Sequence, residues 1–146
     1  MTTVWSFTEL EAAFRQCWDE RTCDPAVEWD AANPAAGHCG VTSMAVAELF
    51  GGVLLWSEVF RRDGQPDGLH YWNRLPGGLE VDLSRDQFRA GEQFGPVSLQ
   101  EPIRLPTARM ATRYDLFAAR LRARLGGSVP AGIPAARPGR ARPGTC

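Results

Sequence analysis

The sequence predicts an α+β protein in which a buried helix packs on a small antiparallel sheet. A nearly all-apolar run follows Cys39 and ends at Gly51-Gly52, so the helix it forms has no polar face for solvent and has to be enclosed. A β-rich run over 53–60 and a hairpin pattern over 69–84 come next. Amphipathic patterns near both ends of the chain add one helix before this core and one after it.

The composition is that of one globular domain, which we place at 1–125, followed by a flexible tail rich in proline, glycine and arginine at 126–146. The net charge of −1 creates no field that would recruit nucleic acid or an anionic membrane. We find neither a signal peptide nor an apolar run of about 20 residues, so we expect a cytoplasmic protein with no membrane segment. All 16 basic residues are arginine, which excludes lysine nucleophiles and Schiff bases.

The N-terminal part combines one helix with a long irregular loop. Thr8 followed by Glu11 has capping-box spacing and predicts a helix over about 8–20, with Cys17 in its buried stripe. Residues 21–36 contain proline and asparagine breakers and show no periodic pattern. Because long loops without structure of their own often carry function, we expect this one to form a wall of a cleft beside the central helix.

The register of the hairpin follows from its turn. If Pro76-Gly77-Gly78 is a three-residue loop with glycine in the left-handed conformation, Arg74 faces Glu80 as a cross-strand ion pair. Period-two alternation then places His70 and Asp82 on the same face, as diagonal neighbours with backbones roughly 7 to 8 Å apart. An imidazole and a carboxylate close that gap, so the sequence predicts a hydrogen-bonded His70–Asp82 pair.

The C-terminal part is predicted in less regular pieces, because prolines interrupt its apolar residues. The expected elements are a short helix capped by Ser84 and Gln87, one more strand near 97–99 or 103–105, and a last helix from Thr107 or Thr112 to Leu125.

The four cysteines, Cys17, Cys23, Cys39 and Cys146, show neither CxxC spacing nor the density of a disulfide framework. In a reducing compartment we therefore expect free thiols. With only two histidines in the chain, we expect no metal site. Neither a phosphate-binding glycine loop nor a dinucleotide fingerprint appears in the sequence, and we expect no cofactor.

Cys39 is the candidate nucleophile. In the first turn of a helix, unpaired backbone N–H groups and the positive end of the dipole favour a thiolate, and the same N–H groups hold a developing oxyanion. Cysteine attack also needs a base and a group that orients it, which His70 and Asp82 supply. The alternatives are ordinary packing for Cys39, a satisfied surface or core histidine for His70, and an arginine partner for Asp82.

Two segments, PAAGHCGVTSMAVAELFGG and LHYWNRLPGGLEVDLSRDQF, resemble the YunG-like family of small bacterial proteins. That family pattern runs from a Gly-Gln-Cys segment through a His-Tyr-Trp-Asn strand to a Glu-x-Asp-Leu-(Thr/Ser)-Arg segment. The family is similar in layout to papain-like folds such as transglutaminases and NlpC-type peptidases. The resemblance therefore implies a papain-like fold, with Cys39 as the nucleophile, His70 as the base and Asp82 as the orienting carboxylate.

His38 stands where the family pattern has glutamine. We assign His38, together with Trp72 and Asn73, to the oxyanion hole or the substrate cleft. A histidine that donates in the oxyanion hole would make activity depend on pH near its own titration range.

Together these residues predict a cysteine-dependent acyl-transfer enzyme that forms a thioacyl intermediate on an amide or thioester substrate. The expected partner is a small-molecule or carrier-bound acyl substrate, whose acyl group passes to water or to an amine. The oligomeric state stays open. The alternative function is a catalytically silent papain-like module that binds a protein or peptide through its aromatic side chains and its basic tail.

Overall fold

The computed structural model of the chain describes residues 4–100 and 107–126. Within these ranges it consists of three α-helices and an antiparallel sheet, which confirms the predicted α+β class. The elements in chain order are α1 (Phe7–Arg15), α2 (Cys39–Phe50), β1 (Val53–Phe60), β2 (Pro66–Arg74), β3 (Glu80–Val81), β4 (Gln93–Phe94), β5 (Ser98–Gln100) and α3 (Ala108–Leu125), with a single 3₁₀ turn at Arg85–Gln87 after β3.

The sheet is built around β1 and β2, which pair along almost their whole length. On the outer side of β2 lies the short strand β3, so the strand order is β3-β2-β1-β4. The two short strands β4 and β5 pair one after the other with the free edge of β1. Every pairing is antiparallel, as expected for strands joined by short turns.

The central helix α2 is enclosed, as its sequence predicts. All residues from Val41 to Ala47 are buried, and the helix contacts β1 and β2 as well as α3. Asn73 on β2 donates its side-chain N–H to the carbonyl oxygen of Ser43 at 2.8 Å, a buried hydrogen bond that fixes the helix against the strand. On α3, the buried Tyr114 hydroxyl donates to the carboxylate of Glu48 on α2. The core is therefore held by apolar burial and by polar contacts that set the relative positions of its elements.

The first helix differs from its prediction at both ends. It begins after Ser6, whose hydroxyl accepts the N–H of Glu9, while the Glu9 carboxylate accepts the N–H of Ser6. Ser6 and Glu9 have the same three-residue spacing as the expected pair, Thr8 and Glu11. The motif was therefore predicted correctly, but the helix begins two residues earlier than expected. The helix ends at Arg15 rather than near residue 20, and its expected buried stripe holds, since Cys17 is fully buried.

The C-terminal elements settle which threonine begins the last helix and confirm one of the two expected strand positions. Thr107, and not Thr112, caps the last helix, because its hydroxyl accepts the N–H of Met110 at 3.2 Å. Strand β5 confirms the expected strand near 97–99. The expected strand at 103–105 and almost all of the tail at 126–146 lie outside the described residues. Across the described ranges, no helix combines the length and the apolar character that crossing a membrane requires.

The connection from α2 to β1 gives a direct test of this fold. Gly52 has φ +86°, and a Cβ added there would collide with the carbonyl oxygen of Arg74 at the end of β2. Gly77 in the hairpin turn has a similar φ of +93°, but an added Cβ would meet no atom within 4 Å. We expect Gly77→Ala to cost about 1 to 2 kcal/mol from backbone strain alone. We expect Gly52→Ala to cost about 2 kcal/mol or more beyond that, because strain and a backbone clash add. Urea unfolding of both variants measures the difference, and equal losses would contradict this packing of β1 against β2.

Candidate active site

The hairpin of β2 and β3 has the predicted register. Arg74 pairs with Glu80, and their side chains form the expected ion pair at 3.0 Å. From the position directly after β3, the Asp82 carboxylate reaches back to β2, and its Oδ2 lies 2.6 Å from Nε2 of His70. The predicted His70–Asp82 hydrogen bond is therefore confirmed, although β3 is shorter than the expected strand over 79–84.

Asp82 is fixed by further donors from the turn that follows it. Its Oδ1 accepts the backbone N–H of Ser84 at 3.1 Å and the Ser84 hydroxyl at 3.3 Å. The Ser84 hydroxyl thus binds the Asp82 carboxylate. The prediction that it caps the following helical turn is wrong. With one oxygen held by Ser84, the other is aimed at His70, and the carboxylate selects the tautomer in which Nε2 carries the proton.

The second ring nitrogen of His70 faces Gln87, a residue that the sequence analysis treated only as a helix cap. The Gln87 side-chain nitrogen lies 3.2 Å from Nδ1 of His70 and 2.9 Å from the carbonyl oxygen of Ser84. Asn33 in the long loop donates to the carbonyl oxygen of Gln87 at 3.0 Å. The spacing of Ser84 and Gln87 was the available signal, but it does not show that the 3₁₀ turn folds Gln87 back over β2.

Three aromatic rings enclose the imidazole. Trp72 lies parallel to it at 5.7 Å between centroids, while Phe88 and Phe94 meet it edge-on at 4.6 and 6.1 Å. His70 is only 2% exposed as a result. The rings and the hydrogen bonds at both nitrogens leave the imidazole one orientation.

Cys39 is the first residue of α2, as predicted, and His38 is the residue that precedes the helix. Its Sγ lies 3.9 Å from the carbonyl oxygen of Leu69, the residue before His70 on β2. The helix start and the strand that carries His70 are thus in contact at this point. A helix that begins here also leaves its first backbone N–H groups without intrahelical acceptors, beside the sulfur.

The oxidation state of Cys39 corrects one expectation. Cys17 and Cys23 are free, as predicted, but Cys39 is disulfide-bonded. It is also fully buried. Spacing along the chain does not show which sulfur atoms meet in space, so this bond could not be predicted from the positions of the cysteines. Any chemistry at Cys39 requires its reduced form, because the thiolate is the nucleophile.

A cavity of about 770 Å³ opens beside His70. Val27, Asn33 and Ala36 from the long loop line it, which confirms that this loop forms a wall. Gln87 and Phe88 of the turn after β3 line it as well. Its size is that of a pocket for a small molecule.

His38 does not reach this cavity. It is completely buried against Trp18, with ring centroids 5.4 Å apart, and Nδ1 lies 3.1 Å from the carbonyl oxygen of Ala36. The other nitrogen, Nε2, lies 2.9 Å from the Thr22 hydroxyl and 3.2 Å from the carbonyl oxygen of Asp19. The structure therefore places His38 in the packing of the long loop and not in the expected oxyanion hole, because its neighbours are the turns at 19–36.

Trp72 and Asn73 also lie away from the cavity lining, for different reasons. Trp72 covers the outer face of His70, and its Nε1 donates to the Glu80 carboxylate at 3.1 Å. Asn73 has the opposite parity along β2 and points to α2, where it binds Ser43. Trp72 thus shields the imidazole, and Asn73 has a structural contact in place of the expected cleft position.

Within residues 4–100 and 107–126, no three histidine, cysteine, aspartate or glutamate side chains lie close enough together to hold a metal ion.

The fold and the site together define an α+β protein that carries a cysteine at the start of its central helix and, on the adjacent hairpin, a buried histidine bound to a half-buried aspartate. The chain belongs to the YunG family, because the family model described as YunG protein matches residues 6–126. Uncharacterized protein YunG of Bacillus subtilis strain 168 is 25% identical over 80 residues, which are 55% of this chain and 61% of that protein. The aligned region therefore spans less than two thirds of this relative. No solved structure matches the chain.

The burial of His38 predicts a pH dependence of stability. Desolvation lowers the pKa of His38 from its usual 6.5 to about 4, against the opposing effect of the backbone carbonyls. Between pH 6.5 and 4, His38 is protonated in the unfolded chain but neutral in the folded one. The free energy of unfolding therefore falls as the pH drops from 6.5 towards 4. The loss from this group is roughly 3 kcal/mol.

We expect His38→Gln to reduce that loss, because an amide donates to Ala36 and accepts from Thr22 without titrating. Urea unfolding of both proteins at about pH 7 and about pH 4 gives the two losses, and carboxylates shared by both proteins cancel in the comparison. Equal losses in the two proteins would show that His38 is not the responsible group.

Proposed function

We propose that the reduced protein is a cysteine-dependent acyl-transfer enzyme, with Cys39 as the nucleophile, His70 as the base and Asp82 as the group that orients the base. The observation that carries the proposal is the 2.6 Å hydrogen bond from His70 Nε2 to Asp82, next to the contact between Cys39 and the Leu69 carbonyl. Since Asp82 holds the proton on Nε2, the lone pair of Nδ1 is the one that accepts a proton from the thiol.

The proposed reaction has two acyl-transfer steps. In the first, Cys39 gives its proton to Nδ1 of His70, and its sulfur forms a bond to the carbonyl carbon of an amide or thioester. The amine or thiol leaves with that proton, and the enzyme is left as a thioester. In the second, water or an amine attacks the thioester with His70 as base, and the thiol returns with its proton. The backbone N–H groups at the start of α2 stabilise the oxyanion in each step.

The arrangement of the elements supports a papain-like layout. A cysteine begins a helix that packs on an antiparallel sheet, and the histidine and the carboxylate come from the sheet side. Gln87 adds a positioning contact at Nδ1 and has to share or yield this nitrogen when Cys39 transfers its proton. The acceptor of the acyl group depends on how the cavity beside His70 admits water.

A second candidate is a papain-like module that binds a protein or peptide without catalysis. The observation that favours it is that Cys39 is both fully buried and disulfide-bonded in this structure. In that case the His70–Asp82 pair would serve only to shape the hairpin.

Alkylation of the reduced full-length protein separates the two candidates. If His70 accepts the thiol proton, iodoacetamide should modify Cys39 at about pH 6 at least about tenfold faster in the native protein than in His70→Ala. Asp82→Asn should lower the rate by a smaller factor, because the ring stays in place but loses its preferred tautomer. Peptide mass spectrometry measures the rate at each cysteine.

Ser57→Ala is the matched control. Ser57 is buried on β1 opposite His70, and within the part of the chain that the structure describes its hydroxyl donates to the backbone carbonyls of Glu58 and Gly95 and to no side chain. Its Cys39 alkylation rate should equal that of the native protein. A screen of amide and thioester donors with the native protein and Cys39→Ser then tests turnover. If Cys39 reacts at the same rate in the native protein and His70→Ala, the proposed enzyme is wrong and the binding module remains.

A further inference from the structure

The cavity beside His70 carries more positive charge than its own carboxylates neutralise. Arg61, Arg62 and Arg89 line it, against Asp67 and Glu92. Asp67 accepts a hydrogen bond from Arg61 at 2.9 Å, and Glu92 accepts the backbone N–H of Arg89 at 2.9 Å. The guanidinium groups of Arg62 and Arg89 make no hydrogen bond or ion pair with any residue in the part of the chain that the structure describes.

Arg62 is held in place by its packing against Gly91. A Cβ added at Gly91 would lie 3.0 Å from both Cγ and Cδ of Arg62, so the stem of the arginine lies directly on the glycine backbone. Gly91 also has φ +88°, where a side chain is disfavoured. The contact limits how far the guanidinium can swing from the cavity, which reduces the entropy lost when it binds an anion.

Part of the cavity lining is apolar. Val27, Val59 and Phe88 contribute apolar surface to the same cavity as the arginines and His70. Leu69, whose carbonyl oxygen contacts Cys39, lines the same cavity. His70 lines the cavity together with the two arginines, whereas Cys39 is buried behind Leu69 and does not line it. One molecule in this space would therefore contact the arginines and the base, with the sulfur directly behind the Leu69 carbonyl.

We propose that the acyl donor carries a carboxylate, which Arg62 and Arg89 bind while the reacting carbonyl lies at Cys39. This inference rests on the proposed function and adds its substrate class. A guanidinium fork binds a carboxylate through two parallel N–H donors, so these arginines fix both the charge and the orientation of the donor. Glu92 lines the same space and repels a carboxylate that is not held by both arginines.

Two alkylating reagents of nearly equal size provide the test. Iodoacetate and iodoacetamide each form a C–S bond to the reduced Cys39 thiolate and release iodide. They differ in a single group, which is a carboxylate in iodoacetate and a neutral amide in iodoacetamide. The ratio of their rates at Cys39 therefore reports the attraction for a carboxylate and does not depend on turnover. Mass spectrometry of the Cys39 peptide gives both rates.

We expect the ratio of the iodoacetate rate to the iodoacetamide rate to fall about fivefold in the double variant Arg62→Gln/Arg89→Gln. About 1 M salt should lower the ratio of the native protein in the same direction. The iodoacetamide rate alone should change little, because a neutral reagent gains nothing from the arginines.

The matched control is Arg21→Gln/Arg109→Gln, which removes two arginines from a separate groove and changes the net charge equally. Its ratio should equal that of the native protein. If the ratio is the same in all three proteins while Cys39 still reacts quickly with iodoacetamide, the carboxylate proposal is wrong and the proposed enzyme stands. If reduced Cys39 reacts with neither reagent, both are wrong.

Discussion

The enclosure of α2 is the constraint on which the rest of the structure depends. A helix with apolar residues all round its surface is stable only when other elements cover every side, and here the sheet and α3 do so. Once it is covered, its first residue cannot move independently of the strand beneath it. The hydrogen bond from Asn73 to Ser43 then sets the position of the helix along β2. The core, and not a flexible loop, thus places Cys39 against Leu69, the residue before His70 on β2.

The turn after β3 completes this arrangement from the other direction. Asp82, Ser84 and Gln87 lie within six consecutive residues, yet they reach both ring nitrogens of His70 and the second oxygen of the carboxylate. Because the donors and acceptors are linked to one another, moving one of them disturbs the others. The Asn33 side chain in the long loop also donates a hydrogen bond to the carbonyl oxygen of Gln87. It connects the loop to the turn after β3, and both segments line the cavity.

Local rules were sufficient for the elements whose geometry is local. The turn Pro76-Gly77-Gly78 and the alternation of β2 determine which residues share a face, and this predicted the His70–Asp82 contact and the Arg74–Glu80 pair. The C-terminal end of α2 followed from Gly51 and Gly52 in the same way. Alternation also places Asn73 on the face opposite His70, so it binds Ser43 of α2 and does not line the cleft in which we expected it.

The features that sequence did not predict depend on the path of irregular segments. His38 turns inwards because Thr22 and the carbonyl oxygens of Asp19 and Ala36 surround it, and no periodic pattern fixes the turns at 19–36. The role of Gln87 depends on a single 3₁₀ turn that folds it back over His70. The oxidised state of Cys39 depends on contacts in space and on the redox environment, neither of which spacing encodes.

The hydrogen bonds of Asp82 hold the His70 imidazole in one tautomer. A carboxylate and an imidazole lose hydration when they are enclosed, and apolar side chains of similar volume would fill the same space at lower cost. The chain nonetheless directs the backbone and hydroxyl of Ser84 to one oxygen of Asp82 and His70 to the other. These contacts add orientation and little apolar burial. In the proposed enzyme these contacts would hold the imidazole in the orientation and tautomer that accept the thiol proton, a role that a hairpin shaped only for stability does not require.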